Sequence, residues 1–190
     1  PRSCSSAASD VYKRQDLPFF SNLMVELSKN GFVCPKPIAN KDNNYISDFN
    51  DKKFMIVSFL DGKSKSNLSP SECKIVGNQI ARMHQITKNF KFTRNNDLSV
   101  RSWRGIFSQV KDKCNKIHAE LPSLIEANLS SIEKEWPKNL PSGIIHADLF
   151  SDNIFFKNNK FSGFIDFYFS CNDFLSLIHI SEPTRRTGIA

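Results

Sequence analysis

The strongest regularities along the chain are helical. From Asp16 to Gly31, the residues Phe19, Phe20, Leu23, Met24 and Leu27 recur at helical spacing. Asp16 stands at the cap position, Pro18 falls in the first turn, where its missing N–H costs nothing, and Gly31 suits the exit. Ser69-Pro70-Ser71-Glu72 reads as a capping box with proline at the first helical position. It opens a helix through about Ile86 whose apolar side carries Ile75, Val76, Ile80 and Met83. Trp103, Ile106, Phe107, Val110, Cys114 and Ile117 predict a third helix over about 99–118. A fourth, over about 121–136, is expected to bury Leu124, Ile125, Leu129 and Ile132. Stripes of this width are core-facing surfaces rather than cofactor boxes. Pro137 and Pro141 close the helical region.

Short apolar runs supply the strands. Tyr45-Ile46 and Phe54–Phe59 flank Asn50-Asp51, a hairpin pattern. Beyond Pro141, Ile144-Ile145 reads as a buried strand. Ile154–Phe156 and Phe161–Ile165 then flank Asn158-Asn159, a pair tolerant of left-handed backbone, and Asp166 ends the hairpin. Blocks of helix separated by hairpins make the chain α+β.

The two ends break the pattern. Asp10–Gln15, DVYKRQ, back-translates to GAT GTG TAT AAG AGA CAG; its reverse complement translates as LSLIHI, the sequence of Leu175–Ile180. Opposite strands of one DNA segment at both ends resemble read-through into a sequencing-library adaptor. Residues 1–15 and about 176–190 are therefore expected to be adaptor-derived and are set aside. About 160 residues remain, enough for one core of ordinary size. The formal charge is +7, and three of those positive charges lie in the ends. The remainder is mildly basic, with no clustered basic stripe of the kind nucleic acid requires. Cys34, Cys73, Cys114 and Cys171 are far apart, without metal-ligand spacing, and are expected to be reduced, partly buried thiols of a cytoplasmic protein. No apolar run reaches the roughly 18 residues of a membrane span.

The chemistry concentrates in Gly143–Asp173, GIIHADLFSDNIFFKNNKFSGFIDFYFSCND. His146, Asp148, Asp152 and Asn153 share one polar loop. With the hairpin turn centred between Asn158 and Asn159, Asn153 is expected opposite Phe164, two residues short of Asp166. Strands lie about 4.8 Å apart, so Asn153 and Asp166 should sit within roughly 7–8 Å on a diagonal. That spacing suits oxygen ligands serving neighbouring hard cations, and Asp148 faces the same space. A lone H-x-D would be read as a solvated turn. Asn153, the hairpin and Asp166 together turn the reading toward phosphotransfer.

H-x-D-x-x-x-x-N followed by a strand-terminal Asp resembles the catalytic and metal-binding loops of the protein-kinase-like fold. Ala147 stands where protein kinases have Arg, and Phe167 is followed by Tyr168 rather than Gly. Those departures point to the small-molecule branch, the aminoglycoside/choline phosphotransferase-like kinases. Within it, HADLFSDNIFF and GFIDFYFSCND, with DLPFF, VSFLDG and GNQIARMH, are most similar to the homoserine kinases, over about Asp16 to Leu175.

The resemblance implies ATP and Mg2+ as cofactors and L-homoserine as the small-molecule partner, with neither nucleic acid nor membrane involved. Asp148 becomes the base, with His146 orienting its loop, and Asn153 and Asp166 become the magnesium ligands. The backbone of Ser58, Phe59 and Leu60 takes the adenine edge. Tyr168, Asn172 and Asp173 are the substrate-side candidates. Glu26 could pair with a nucleotide lysine, although it reads more simply as a surface acid, and His84 as a packing or surface histidine. The implied architecture is two-lobed and incomplete, with a small-lobe remnant at 16–60 and the helical lobe at 61–175. A phosphate-covering loop and a strand-borne lysine are not found before Asp16, and the helices expected after Asp166 are not found either. The segment is accordingly expected to be inactive alone. Two alternatives stay open, an aminoglycoside- or choline-type kinase and a nucleotide-binding pseudokinase.

Overall fold

The computed structural model describes residues 5–6 and 16–179. Most of the two adaptor-like ends therefore lies outside the described residues. In chain order the elements are β1 (Ser5–Ser6), α1 (Leu17–Lys29), β2 (Ser47–Phe49), β3 (Lys52–Phe54), β4 (Ile56–Val57), β5 (Lys63–Ser64), α2 (Pro70–Ile86), α3 (Val100–Cys114), α4 (Leu121–Glu135), β6 (Ser142–Ile145), β7 (Ile154–Lys157), β8 (Lys160–Phe164) and β9 (Cys171–Phe174). The strands form small antiparallel sheets ordered β1-β4, β2-β3, β5-β7-β8 and β6-β9. The class is α+β, as expected.

α1 begins after Asp16, but Asp16 does not cap it. No side-chain cap bond forms, and the Asp16 carboxylate instead accepts from Arg94 Nε at 2.8 Å. A charged partner at that distance outcompetes neutral backbone N–H groups. The exit follows expectation: Gly31 is left-handed at φ +71, and Phe32 N–H donates to Leu27 O at 2.9 Å. At α2 the capping box forms in full, with Ser69 Oγ accepting from Glu72 N–H and Glu72 accepting from Ser69 N–H. Lys65 also donates to Glu72 at 2.6 Å. That bond, with those from Ser69, holds the Glu72 carboxyl down at about 2.

Both hairpins turn where the asparagines predicted. Asn50 and Asp51 (φ 48 and 59), and Asn158 and Asn159 (φ 50 and 61), are all left-handed, as a two-residue primed turn requires. The first hairpin pairs Ser47 with Phe54, so Tyr45-Ile46 precede the strand. The run expected over Phe54–Phe59 breaks at buried Met55, and β4 pairs away from β3, with Ser5–Ser6.

One core gathers the inner face of α1 with Phe32, Met55, Val57, Val76, Met83, Ile144, Ile154, Phe156, Phe164 and Phe167. α2 sends Val76 and Met83 into this core. Asn95–Pro141 forms one compact unit and the rest of the described residues the other. Within Asn95–Pro141, Phe107, Cys114 and Leu129 are buried, with Trp103, Leu121 and Ile125 packed against them. Ile106, Val110, Ile117, Leu124 and Ile132, expected inside, are exposed, and so is Ile75 of α2. α3 ends at Cys114 rather than near 118, so Ile117 falls in the turn after it; for the others in this unit, a pair of helices buries only the strip along its contact, and the apolar stripes are wider than that strip.

Candidate active site

β6 carries the chain inward through buried Ile144 and Ile145 to His146, which is fully buried. His146 Nε2 lies 2.8 Å from Ile165 O. A carbonyl can only accept, so Nε2 carries the proton. The ring packs against Phe167 at 4.7 Å and Phe164 at 6.2 Å. Burial, only partly offset by the Ile165 bond, pushes the imidazole down to about 4, so His146 is neutral at neutral pH. It is a buried strut that fixes the residue preceding Asp166.

Ala147 follows with φ +62, a left-handed conformation that costs a non-glycine residue energy and marks an over-determined loop. The loop then closes on itself. Phe150 N–H donates to Asp148 O at 3.0 Å, and Asn153 N–H to Phe150 O at 2.9 Å. The Asn153 amide nitrogen donates to Asp148 O at 2.7 Å and to Asp148 Oδ2 at 3.1 Å. That leaves Asn153 Oδ1 as the atom able to meet a cation.

Asn153 and Asp166 come together more directly than the sequence suggested. β7 and β8 pair Lys157 with Lys160 and Phe156 with Phe161, but Phe155 with Gly163 and Ile154 with Phe164. Ser162 is therefore the extra residue of a β-bulge, and the register shifts by one. Asn153 faces Ile165, whose N–H donates to Asn153 O at 3.0 Å, rather than Phe164. It is one residue from Asp166, not two.

Asp166 is itself left-handed (φ 61, ψ 59). Its Oδ1 is buried and without a hydrogen-bond partner. Burial first, and then the Asp152 carboxylate, raise its pKa, against a backbone N–H from Tyr168. A half-buried acid with an orphan oxygen, under the influence of the Asp152 carboxylate and one residue beyond Ile165, the partner of Asn153, is a site short of positive charge. Hard oxygen donors of this kind fit Mg2+. Among the described residues no three His, Cys, Asp or Glu side chains form a metal cage. Magnesium needs none, because it binds through one or two carboxylates together with substrate phosphates.

The remaining candidates sit elsewhere. Ser58 N–H donates to Lys36 O at 2.8 Å, and Ser58 Oγ accepts from Lys36 N–H at 2.9 Å, so that donor is already committed. Exposed Phe59 and part-buried Leu60 follow. Ser162 Oγ then donates to Asp61 O, which ties the segment to the bulge. Tyr168 packs edge-on against Phe20 at 5.7 Å. Asn172 lies in β9 opposite Ile144, with Oδ1 accepting from Arg94 N–H at 2.9 Å and its own N–H donating to Arg94 O at 2.7 Å. Asp173 Oδ1 accepts from Phe174 N–H at 2.8 Å. All three side chains make contacts within the fold. Glu26 accepts from Asn30 Nδ2 on the same helix, as a surface acid would. Arg94, which organises residues 169–172, carried no signal in the sequence, because its partners lie about 75 positions away or more.

The phosphotransferase enzyme family profile, APH, matches residues 6–176. The chain belongs to this family. Among the phosphotransferase relatives are proteins named homoserine kinase from Bradyrhizobium sp. (strain BTAi1) and from Rhizobium meliloti (strain 1021). Each is 41% identical over 161 residues, covering 85% of this chain and 49% of the relative. The chain thus spans about half the length of the curated relatives it matches. Solved phosphotransferases share its fold. They include an aminoglycoside phosphotransferase from Alicyclobacillus acidocaldarius (TM-score 0.63, 13% identity, 97% of this chain and 62% of that one). A choline kinase from Cryptosporidium parvum superposes with a TM-score of 0.60 at 21% identity, over 88% of this chain and 50% of that one. An amicoumacin kinase complexed with AMP-PNP and Ca2+ gives 0.57 at 15% identity, over 90% and 53%. The fold is therefore the protein-kinase-like one, and no helix among the described residues is long and apolar enough to cross a membrane.

Proposed function

We propose that the full-length protein carrying this segment transfers the γ-phosphoryl group of ATP to the hydroxyl of L-homoserine. The products would be O-phospho-L-homoserine and ADP, a step toward threonine. One observation carries the phosphotransfer reading. The Asn153 amide holds the Asp148 carboxylate, and Asn153 adjoins Asp166, whose buried Oδ1 has no partner. The choice of homoserine draws on the relatives' names and on 41% identity over 161 residues.

In this reading Asp148 orients the hydroxyl and takes its proton as the oxygen attacks the γ-phosphorus and the bond to the ADP oxygen breaks. Asn153 Oδ1 and Asp166 would hold magnesium, which supplies positive charge to the β,γ-phosphates. His146 fixes Ile165 and so aims Asp166. Phe59 and Leu60 carry the proposed adenine contact, since the Ser58 N–H is spent on Lys36.

The test is a coupled ADP-release assay on the full-length enzyme with L-homoserine, choline and an aminoglycoside. Turnover is expected with zwitterionic homoserine and not with the cationic rivals. Asp166→Ala should drop it below detection, and Asn153→Ala less, because a neutral amide oxygen contributes less field. Turnover of choline or an aminoglycoside instead would replace the substrate and keep the reaction. Mg-ATP binding without turnover of any alcohol would make the protein a pseudokinase.

A further inference from the structure

Arg94 gathers the chain immediately after Asp166. Its Nε donates to Asp16 Oδ2 at 2.8 Å, and both side chains are largely buried, at 12% and 14% exposure. Its Nη1 reaches the carbonyls of Phe169 and Ser170, at 3.4 Å each. The guanidinium lies over the Phe20 ring, 5.3 Å from the centroid, and Phe20 in turn meets Tyr168. The Arg94 backbone completes the clamp through its two hydrogen bonds with Asn172. One residue thereby fixes Tyr168 through Asn172, using an ion pair, a cation–π contact and four hydrogen bonds. Asp166 stands at the head of that segment in a left-handed conformation, and the Tyr168 N–H is its backbone partner.

A left-handed aspartate is not held by its own preferences. Upstream it is pinned by the Ile165 bonds to His146 and Asn153. Downstream the pin is Arg94. We propose that Arg94 is a positioning residue for Asp166: by clamping residues 168–172 it holds the magnesium-binding carboxylate in place. The proposal rests on the functional reading above. A guanidinium suits the task because its planar fork serves a carboxylate and two carbonyls at once while its face lies on an aromatic ring. A lysine cannot do all of this.

The experiment measures magnesium dependence of turnover, KM for the alcohol and thermal melting in the full-length enzyme. Three variants are compared: Arg94→Met, the neutral pair Asp16→Asn with Arg94→Gln, and Asp166→Ala. The neutral pair leaves no unpaired buried charge, so it keeps the test alive if Arg94→Met does not fold. It retains contact with residue 16 but is too short to reach Phe169 and Ser170. The expected result is a rise of about tenfold or more in the magnesium needed for half-maximal turnover, the usual cost of losing support behind a metal ligand. KM for the alcohol should stay within about twofold. A purely structural role would lower the melting temperature and leave magnesium dependence alone. That outcome in a folded variant, with Asp166→Ala inactive, overturns the Arg94 proposal and spares the site. Wild-type turnover by Asp166→Ala overturns both.

Discussion

At the residue scale, environment sets two acids and a histidine apart. Asp148 accepts from the Asn153 amide in a part-buried loop, whereas the pKa of Asp166 is raised, first by burial. Asp148→Asn keeps the shape and removes the charge. Turnover should fall by roughly 10²–10⁴ with Mg-ATP affinity little changed, or about 3–5 kcal/mol of transition-state stabilisation. Retention of more than about a tenth of wild-type turnover would mean that another group is the base. His146 makes a separate prediction, in stability. Its folded pKa is about 4 against an ordinary 6.5, so between those values the unfolded chain binds a proton that the folded chain refuses. Stability should therefore be full above pH 6.5 and decline as pH falls toward about 4, by on the order of 3 kcal/mol. Asp166, raised rather than lowered, has the opposite sign, so the difference from His146→Gln in urea unfolding isolates the histidine. Parallel pH profiles for the two proteins would show that His146 is not buried neutral. These residues were legible because their partners lie close by in sequence, Asp148 with Asn153 and His146 across one hairpin. The contacts of Tyr168 with Phe20 and of Asn172 with Arg94 could not be read in advance, because those partners are remote in sequence.

At the scale of elements, the α2 cap and the turns could be read, whereas the fate of Asp16 and the bulge could not. Ser69 with Glu72, and the Asn-Asp and Asn-Asn turns, act through their immediate neighbours, and each forms where expected. The bulge at Ser162 answers to tertiary contacts. Gly163 takes φ +131, and a Cβ there would stand 2.5 Å from Val33 O and 2.8 Å from Leu60 Cδ2. Phe164 N–H donates to the same Val33 carbonyl. The strand can approach Val33 so closely only with glycine at that point, and the extra residue just before it shifts the register that sets Asn153 beside Ile165. Gly163→Ala should therefore cost about 1–3 kcal/mol from the backbone alone, with the clash in addition. It should also lower turnover, because relieving the clash moves the register. Chemical denaturation and kinetics on the one variant check both parts. A loss of stability with unchanged kinetics would uncouple the bulge from the site.

At the scale of the whole molecule, the fold class was legible, and the depth of burial of each apolar face was not. Helical and alternating periods report which face of an element is apolar, but not what covers it. In α1 the apolar face is buried throughout, and Val76 and Met83 join α2 to the same core. In Asn95–Pro141 the same kind of stripe is only partly used, with Ile117 78% exposed and Leu124 60% exposed. Exposed side chains of this size add little to the stability of the chain that exposes them, yet they give it adhesive surface. The substitutions Ile117→Lys with Leu124→Glu, made in this 190-residue chain, should therefore leave the denaturation free energy within about 0.5 kcal/mol. They should lower the fluorescence of a hydrophobic dye and raise solubility. The net charge stays at its formal +7, so any gain in solubility belongs to the removed apolar area rather than to charge. A loss of more than about 2 kcal/mol would be the signature of two buried side chains. It would mean that Ile117 and Leu124 are covered in solution, and that the wide stripes read from the sequence are core after all.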